Sequence, residues 1–125
     1  MIAKGIFDAA DMFQMYRLPE LFAGLQREGN IFPVQYLGAN IPQAWAAGSI
    51  FMLMRAILGI EPDASKKTMA LNPTLPEWLP GLTVRNLSFA GRRLTIQFNG
   101  TGASSSFEVL EGGDGIEFAQ GRASA

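Results

Sequence analysis

Apolar residues recur at helical spacing in the first half of the chain and at every second position in the second half. Ile6, Ala10, Phe13 and Tyr16 or Arg17 fall three or four apart, with Lys4, Asp8 and Asp11 on another side. An α-helix turns once in about 3.6 residues, so this spacing predicts an amphipathic helix over residues 3–16. Pro19 stops it, because the residue before a proline disfavours helical angles. From Gln43 to Leu58 nearly every residue is apolar or small. A second helix is predicted over residues 42–58, with Pro42 in its first turn and Gly59-Ile60 as a glycine cap with its hydrophobic contact. A helix that is apolar all round is expected to be buried on all sides. One amphipathic neighbour cannot do that, so the 43–58 helix is expected to pack against a second copy or to drive aggregation.

Between these helices, Leu18 to Asn40 contains Pro19, Gly24, Gly29, Pro33 and Gly38 and reads as an irregular loop. A loop of about twenty residues in a compact domain is usually functional. Beyond a polar connector, Glu61 to Lys67, the period becomes two. The alternating sets are Met69 and Leu71, Leu82 and Val84, Leu87 and Phe89, Leu94 to Phe98, Phe107 and Val109, and Ile116 and Phe118. One buried and one wet face is the signature of antiparallel strands. The phase shift between Val84 and Leu87 predicts a bulge near Asn86. Ala90-Gly91, Asn99-Gly100 and Gly112-Gly113 supply turns. Asn72 to Pro80, with three prolines and Trp78, reads as a rigid connection, and Ala103 to Ser106 as merely small and polar. The expected class is α+β. A helical segment, residues 1–62, precedes a small antiparallel β-domain, residues 63–125, whose strands span about 68–119 and which ends in a flexible tail.

The chain has 125 residues, enough for one compact domain or a small domain with an appendage. Its 48% hydrophobic and 17% charged residues make it apolar enough to fold and poor in charge. Apolar surface left over points to a partner or to further chain. A net charge of −1 without a basic block argues against nucleic acid as a partner. There is no Cys and no His, which excludes thiol nucleophiles, thiolate or imidazole metal sites and His-based triads. No metal and no cofactor is expected, and acid–base chemistry falls to Asp, Glu, Lys or Tyr. The run Ala44 to Met54 is shorter than the ~20 residues of a membrane span, so no membrane is expected. Lys4, Asp8 and Asp11 interrupt the place of a signal peptide's apolar core. A cytoplasmic location fits the absence of Cys.

Candidate chemistry clusters in the irregular stretch. In Arg17-Leu18-Pro19-Glu20-Leu21-Phe22 a carboxylate follows a helix, with apolar neighbours to desolvate it and Arg17 to hold it charged. A Glu that merely solvates a loop is the plain alternative. Phe32 and Tyr36, in Ile31 to Tyr36, can stack on a sugar or fill a core. Gln43 and Trp45, in Pro42 to Gly48, lie at a helix start where a ligand can be met, or where the helix simply packs tightly.

In order and spacing, RLPELF (Arg17 to Phe22), PVQY (Pro33 to Tyr36) and PQAWAAG (Pro42 to Gly48) resemble the end of the catalytic domain in the bacterial amylo-alpha-1,6-glucosidase or glycogen-debranching-like family. LNPTLPEWLPGLTVRNLSFAG (Leu71 to Gly91) resembles the C-terminal segment of the same proteins. The likeness runs over roughly residues 3–100. It departs at Leu37, where relatives often carry proline, and at Ile41, where they often carry serine, which leaves Asn40 as the candidate helix cap. The resemblance implies that the two helices are a remnant of an (α/α)6 six-hairpin toroid and that the chain is the C-terminal part of a glycoside hydrolase acting on α-glucosidic linkages. It implies Glu20 as the catalytic base of an inverting reaction, and Arg17, Tyr36, Gln43 and Trp45 as residues shaping the sugar pocket. The acid would lie upstream, so the chain alone is expected to be inactive. A non-catalytic carbohydrate-binding or oligomerising module is the alternative.

Overall fold

The structure, a computed structural model, describes residues 2–13, 16–25 and 33–120. Phe32 and the tail beyond Gln120 lie outside the described residues. The chain divides into two compact units, residues 1–54 and 55–125. The class is α+β: two helices and two small, largely antiparallel sheets.

In the first unit, α1 spans Ile2–Met12 and buries Gly5, Ala9 and Ala10. These small side chains let the chain approach closely, and Ala9, Ala10, Leu18 and Ala46 form the core, flanked by Ile6, Phe13, Phe22 and Ile50. The rings of Phe13 and Phe22 lie 6.5 Å apart, tilted by 51°, within the range of favourable aromatic pairs. The helix ends four residues before the predicted position. Tyr16 adopts a left-handed backbone (φ 55) and donates its N–H to the Phe13 carbonyl at 3.1 Å. That conformation is incompatible with continuing the helix.

The second helix, α2, spans Ala44–Leu58. The Gln43 carbonyl accepts the Ala47 N–H at 3.0 Å, so Gln43 caps the helix and Pro42 stands outside it. Pro42 in the first turn, and Asn40 as the cap, are therefore both corrected. As expected, the rest of the chain leaves α2 incompletely covered: Phe51 and Met52 are 77% and 74% exposed, and only Ala46 and Leu58 of the helix are buried. Gly59 ends the helix as predicted, at φ 58, where a Cβ would collide with the Asn72 carbonyl. Only glycine meets both the left-handed angle and the close approach.

In the second unit, β1 (Ile60–Asp63) and β2 (Thr68–Leu71) form an antiparallel hairpin, and β6 (Glu117–Gln120) joins β2 in parallel. The polar connector is thus partly a strand, and the β-unit is not purely antiparallel. The turn of the hairpin is held by Asp63, whose Oδ1 accepts the Ser65 hydroxyl at 2.6 Å and the Ser65 and Lys66 backbone N–H groups. The Ser65 and Lys66 bonds, with the Lys66 ammonium 3.1 Å away, lower the Asp63 carboxyl to about 2.

The other sheet runs β3 (Gly81–Phe89), β4 (Arg92–Asn99) and β5 (Ser106–Glu111), all antiparallel. Its register shifts between Val84 and Leu87, with Asn86 at φ 58, which is the predicted bulge. Ala90 and Gly91 both take positive φ between the paired Phe89 and Arg92, the requirement of a two-residue hairpin turn that follows the strand twist. Leu94, Ile96 and Phe98 on β4 are fully buried, and the Phe98 ring lies 6.5 Å from Phe107. Burying such side chains contributes ≈ 1.5–3 kcal/mol each. The stretch read as merely small and polar holds a 3-10 turn, Gly102–Ser104, and the buried Ser105. Its hydroxyl accepts the Leu75 N–H at 2.9 Å and donates to the Gly102 carbonyl at 2.7 Å, pinning the proline-rich connection.

Candidate functional site

The site residues named from the sequence all lie in the first unit, and a strand-like clamp brings their segments together. Residues 17–23 run antiparallel to residues 34–43. The Ala23 N–H donates to the Val34 carbonyl at 2.7 Å and the Tyr36 N–H to the Leu21 carbonyl at 3.0 Å, on either side of a bridge between Phe22 and Gln35. The Glu20 N–H donates to the Asn40 carbonyl at 2.9 Å, and the Gln43 N–H to the Leu18 carbonyl at 3.1 Å. The described parts of the predicted irregular loop are therefore paired with each other. Pro19 and Leu18 are buried beneath the clamp. Proline has no N–H to satisfy, so it can be buried there without an orphan donor.

Within this frame Glu20 is half-buried, and its Oε2 accepts the Asn40 side-chain amide at 3.0 Å. Arg17 does not pair with it. The guanidinium Nη2 donates instead to the Ile41 carbonyl at 3.3 Å, so the predicted charge partner of Glu20 is a backbone staple. Among the described residues the partner of the Glu20 carboxylate is Asn40, which sequence reasoning placed at the helix start. Nothing local marks that pairing, because the two residues are twenty positions apart and meet only when the clamp closes.

Tyr36 and Trp45 are 55% and 59% exposed and Gln43 is half-buried. The two aromatics fill no core, so their rings are available to an outside ligand. The turn that carries Tyr36 is fixed by Gln35, whose amide donates to the Ala39 carbonyl at 3.3 Å, and by the Ala39 N–H bonding the Tyr36 carbonyl at 3.1 Å. Gly38 at φ 87 supplies the left-handed residue of that turn. The site therefore offers one carboxylate with a neutral hydrogen-bond partner, two exposed rings and a helix start.

A separate cavity of about 470 Å³ in the same unit is lined by Asp11 and Tyr16 together with apolar residues, among them Phe7, Leu18, Ile50 and Phe51. None of the five predicted site residues lines it. Among the described residues no group of three or more carboxylates is placed to hold a metal ion, and no helix is long and apolar enough to cross a membrane. Comparison with models of protein families, with curated proteins and with solved structures finds no match in any of the three.

Proposed function

We propose that this chain is the C-terminal part of a glycoside hydrolase of the glycogen-debranching type, acting on α-glucosidic linkages, with Glu20 as the base. The observation that carries the reading is the clamp. It assembles the three motif-bearing segments, 17–22, 33–36 and 42–48, around one half-buried carboxylate. With no match among known families, the reading rests on those motifs and on that geometry. In an inverting reaction Glu20 takes a proton from the attacking water, while a carboxylic acid ~6.5–9.5 Å away protonates the leaving oxygen. That acid, and the remaining walls of a toroid, come from a preceding helical domain, to which α1 and α2 belong. Tyr36 and Trp45 stack on sugar rings, and Gln43 bonds their hydroxyls. The chain needs no cofactor for this, and the protein works in the cytoplasm.

Hydrolysis assays test the proposal. The isolated chain should release no glucose from α-glucosides, since leaving-group protonation alone contributes about 10²–10⁴-fold. Joined to its helical domain, the protein should turn over, and Glu20→Gln should abolish turnover while sparing sugar binding. Unchanged turnover by that variant would remove Glu20 from the mechanism. A second reading draws on the exposed Phe51 and Met52 of α2: a non-catalytic module that binds carbohydrate or associates through residues 43–58. The hydrolysis assay of the joined protein separates the two, because a non-catalytic module gives no turnover in any context.

A further inference from the structure

We infer that Asn40 is the positioning residue of Glu20, tying one carboxylate oxygen so that the other faces the bound sugar or water; this rests on the α-glucan reading above. The pairing is two-fold. The backbone N–H of Glu20 donates to the Asn40 carbonyl at 2.9 Å, and the Asn40 amide returns a hydrogen bond to Oε2 of Glu20 at 3.0 Å. Two bonds between the same residues fix the carboxylate relative to its own backbone, which one side-chain contact cannot do. The frame is pinned on both sides, by Gln43 N–H to the Leu18 carbonyl at 3.1 Å and by Tyr36 N–H to the Leu21 carbonyl at 3.0 Å.

The chemistry of the partner matters as much as the geometry. A guanidinium would neutralise the carboxylate and occupy both of its oxygens. Arg17 is turned away to the Ile41 carbonyl, and a neutral amide stands in its place. Glu20 is thus held by a neutral group rather than an ion pair, and its Oε1 accepts no hydrogen bond among the described residues. A base needs both properties: an oxygen free to take a proton, and an orientation fixed before the substrate arrives. A loop staple would need neither.

The test uses the full chain, isotopically labelled, titrated with maltohexaose and followed by NMR, with Asn40→Ala, Glu20→Ala and the double variant. Asn40→Ala keeps the carbonyl that the Glu20 N–H requires, so the clamp survives the change. The expected result has three parts. The Asn40 side-chain amide signal shifts in Glu20→Ala. Each single variant weakens maltohexaose binding by roughly tenfold, the size of one lost hydrogen bond, which the isosteric Glu20→Gln retains. The double variant binds no more weakly than the poorer single. An unmoved Asn40 signal overturns the pairing. Affinity within about twofold of the unaltered chain in Asn40→Ala, even with a lowered melting temperature, reduces Asn40 to a staple and overturns the proposal. Additive losses in the double variant do the same. Absence of saturable binding by the unaltered chain overturns the α-glucan reading and the ligand role of Oε1 with it; a shifted Asn40 signal in that case distinguishes this failure from loss of the pairing.

Discussion

The two units solve the problem of burying apolar surface with opposite success. In residues 55–120 the large apolar side chains go inside: Leu58, Met69, Leu71, Leu75, Leu94, Ile96 and Phe98 are all at most 1% exposed. In residues 2–54 the buried hydrophobic residues are three alanines and Leu18, while Ile2, Tyr16, Leu37, Trp45, Phe51 and Met52 face outward. Of the large exposed hydrophobic residues among those described, all but Leu110 lie in that first unit. A small unit that leaves its large side chains outside gains little from folding, since hydrophobic stabilisation scales with the area removed from water. The β-unit reads as self-sufficient and the helical unit as a surface that waits for something, whether sugar, second copy or further chain.

The contrast can be broken most forcefully in the β-unit. Phe98→Ala should cost about 3–5 kcal/mol, because a fully buried ring leaves a cavity as well as lost transfer energy. Urea denaturation measures this, and a cost under about 1 kcal/mol would mean the sheet has no packed core. Next in size is Gly59→Ala, where the left-handed angle and the clash with the Asn72 carbonyl act together. A loss of about 1–3 kcal/mol is expected by the same measurement. Gly91→Ala, at φ 77 but in open space, should cost less. In the helical unit Met52→Gln should change stability by no more than about 0.5 kcal/mol, as for other exposed positions, while lowering self-association in light scattering. A loss as large as that of Phe98→Ala would show that α2 is covered after all.

The smallest effect is one of pH. Asp63 is held near 2 by Ser65 and Lys66, below its ordinary value of 3.8. A depressed folded-state value means that the charged carboxylate stabilises the turn above pH 3.8 and that this contribution is lost as pH falls towards 2. The Ser65 and Lys66 amide signals of the folded chain should therefore titrate with a midpoint at about 2 rather than at 3.8, and Asp63→Asn should abolish the titration.

Much of the β-unit was legible because its signals are local. A two-residue period, a phase slip at Asn86 and a Gly following Ala90 each specify conformation within a few residues. The same holds for Gly59 at the end of α2. What stayed hidden depends on distant partners. The parallel pairing of β2 with β6 joins residues nearly fifty positions apart, and β1, with Glu61 and Pro62 exposed at a sheet edge, lacks an alternating pattern. Ser105 looked like filler because a hydroxyl's partner, here the Leu75 N–H, leaves no trace in sequence. In the motif-bearing segments the meeting of Glu20 with Asn40 left no local trace, and Arg17, read as the charge partner of Glu20, bonds the Ile41 carbonyl instead.

The central claim is that the open face around Glu20 receives an α-glucan. Trp45 is one of two tryptophans and stands 59% exposed beside that segment's helix start, so in a Trp78→Phe chain it becomes the sole reporter. Titration of that variant with maltohexaose should give a saturable change in tryptophan fluorescence that Glu20→Ala weakens and cellohexaose does not reproduce. A flat response to maltohexaose, from a chain whose amide spectrum shows it to be folded, would contradict the account.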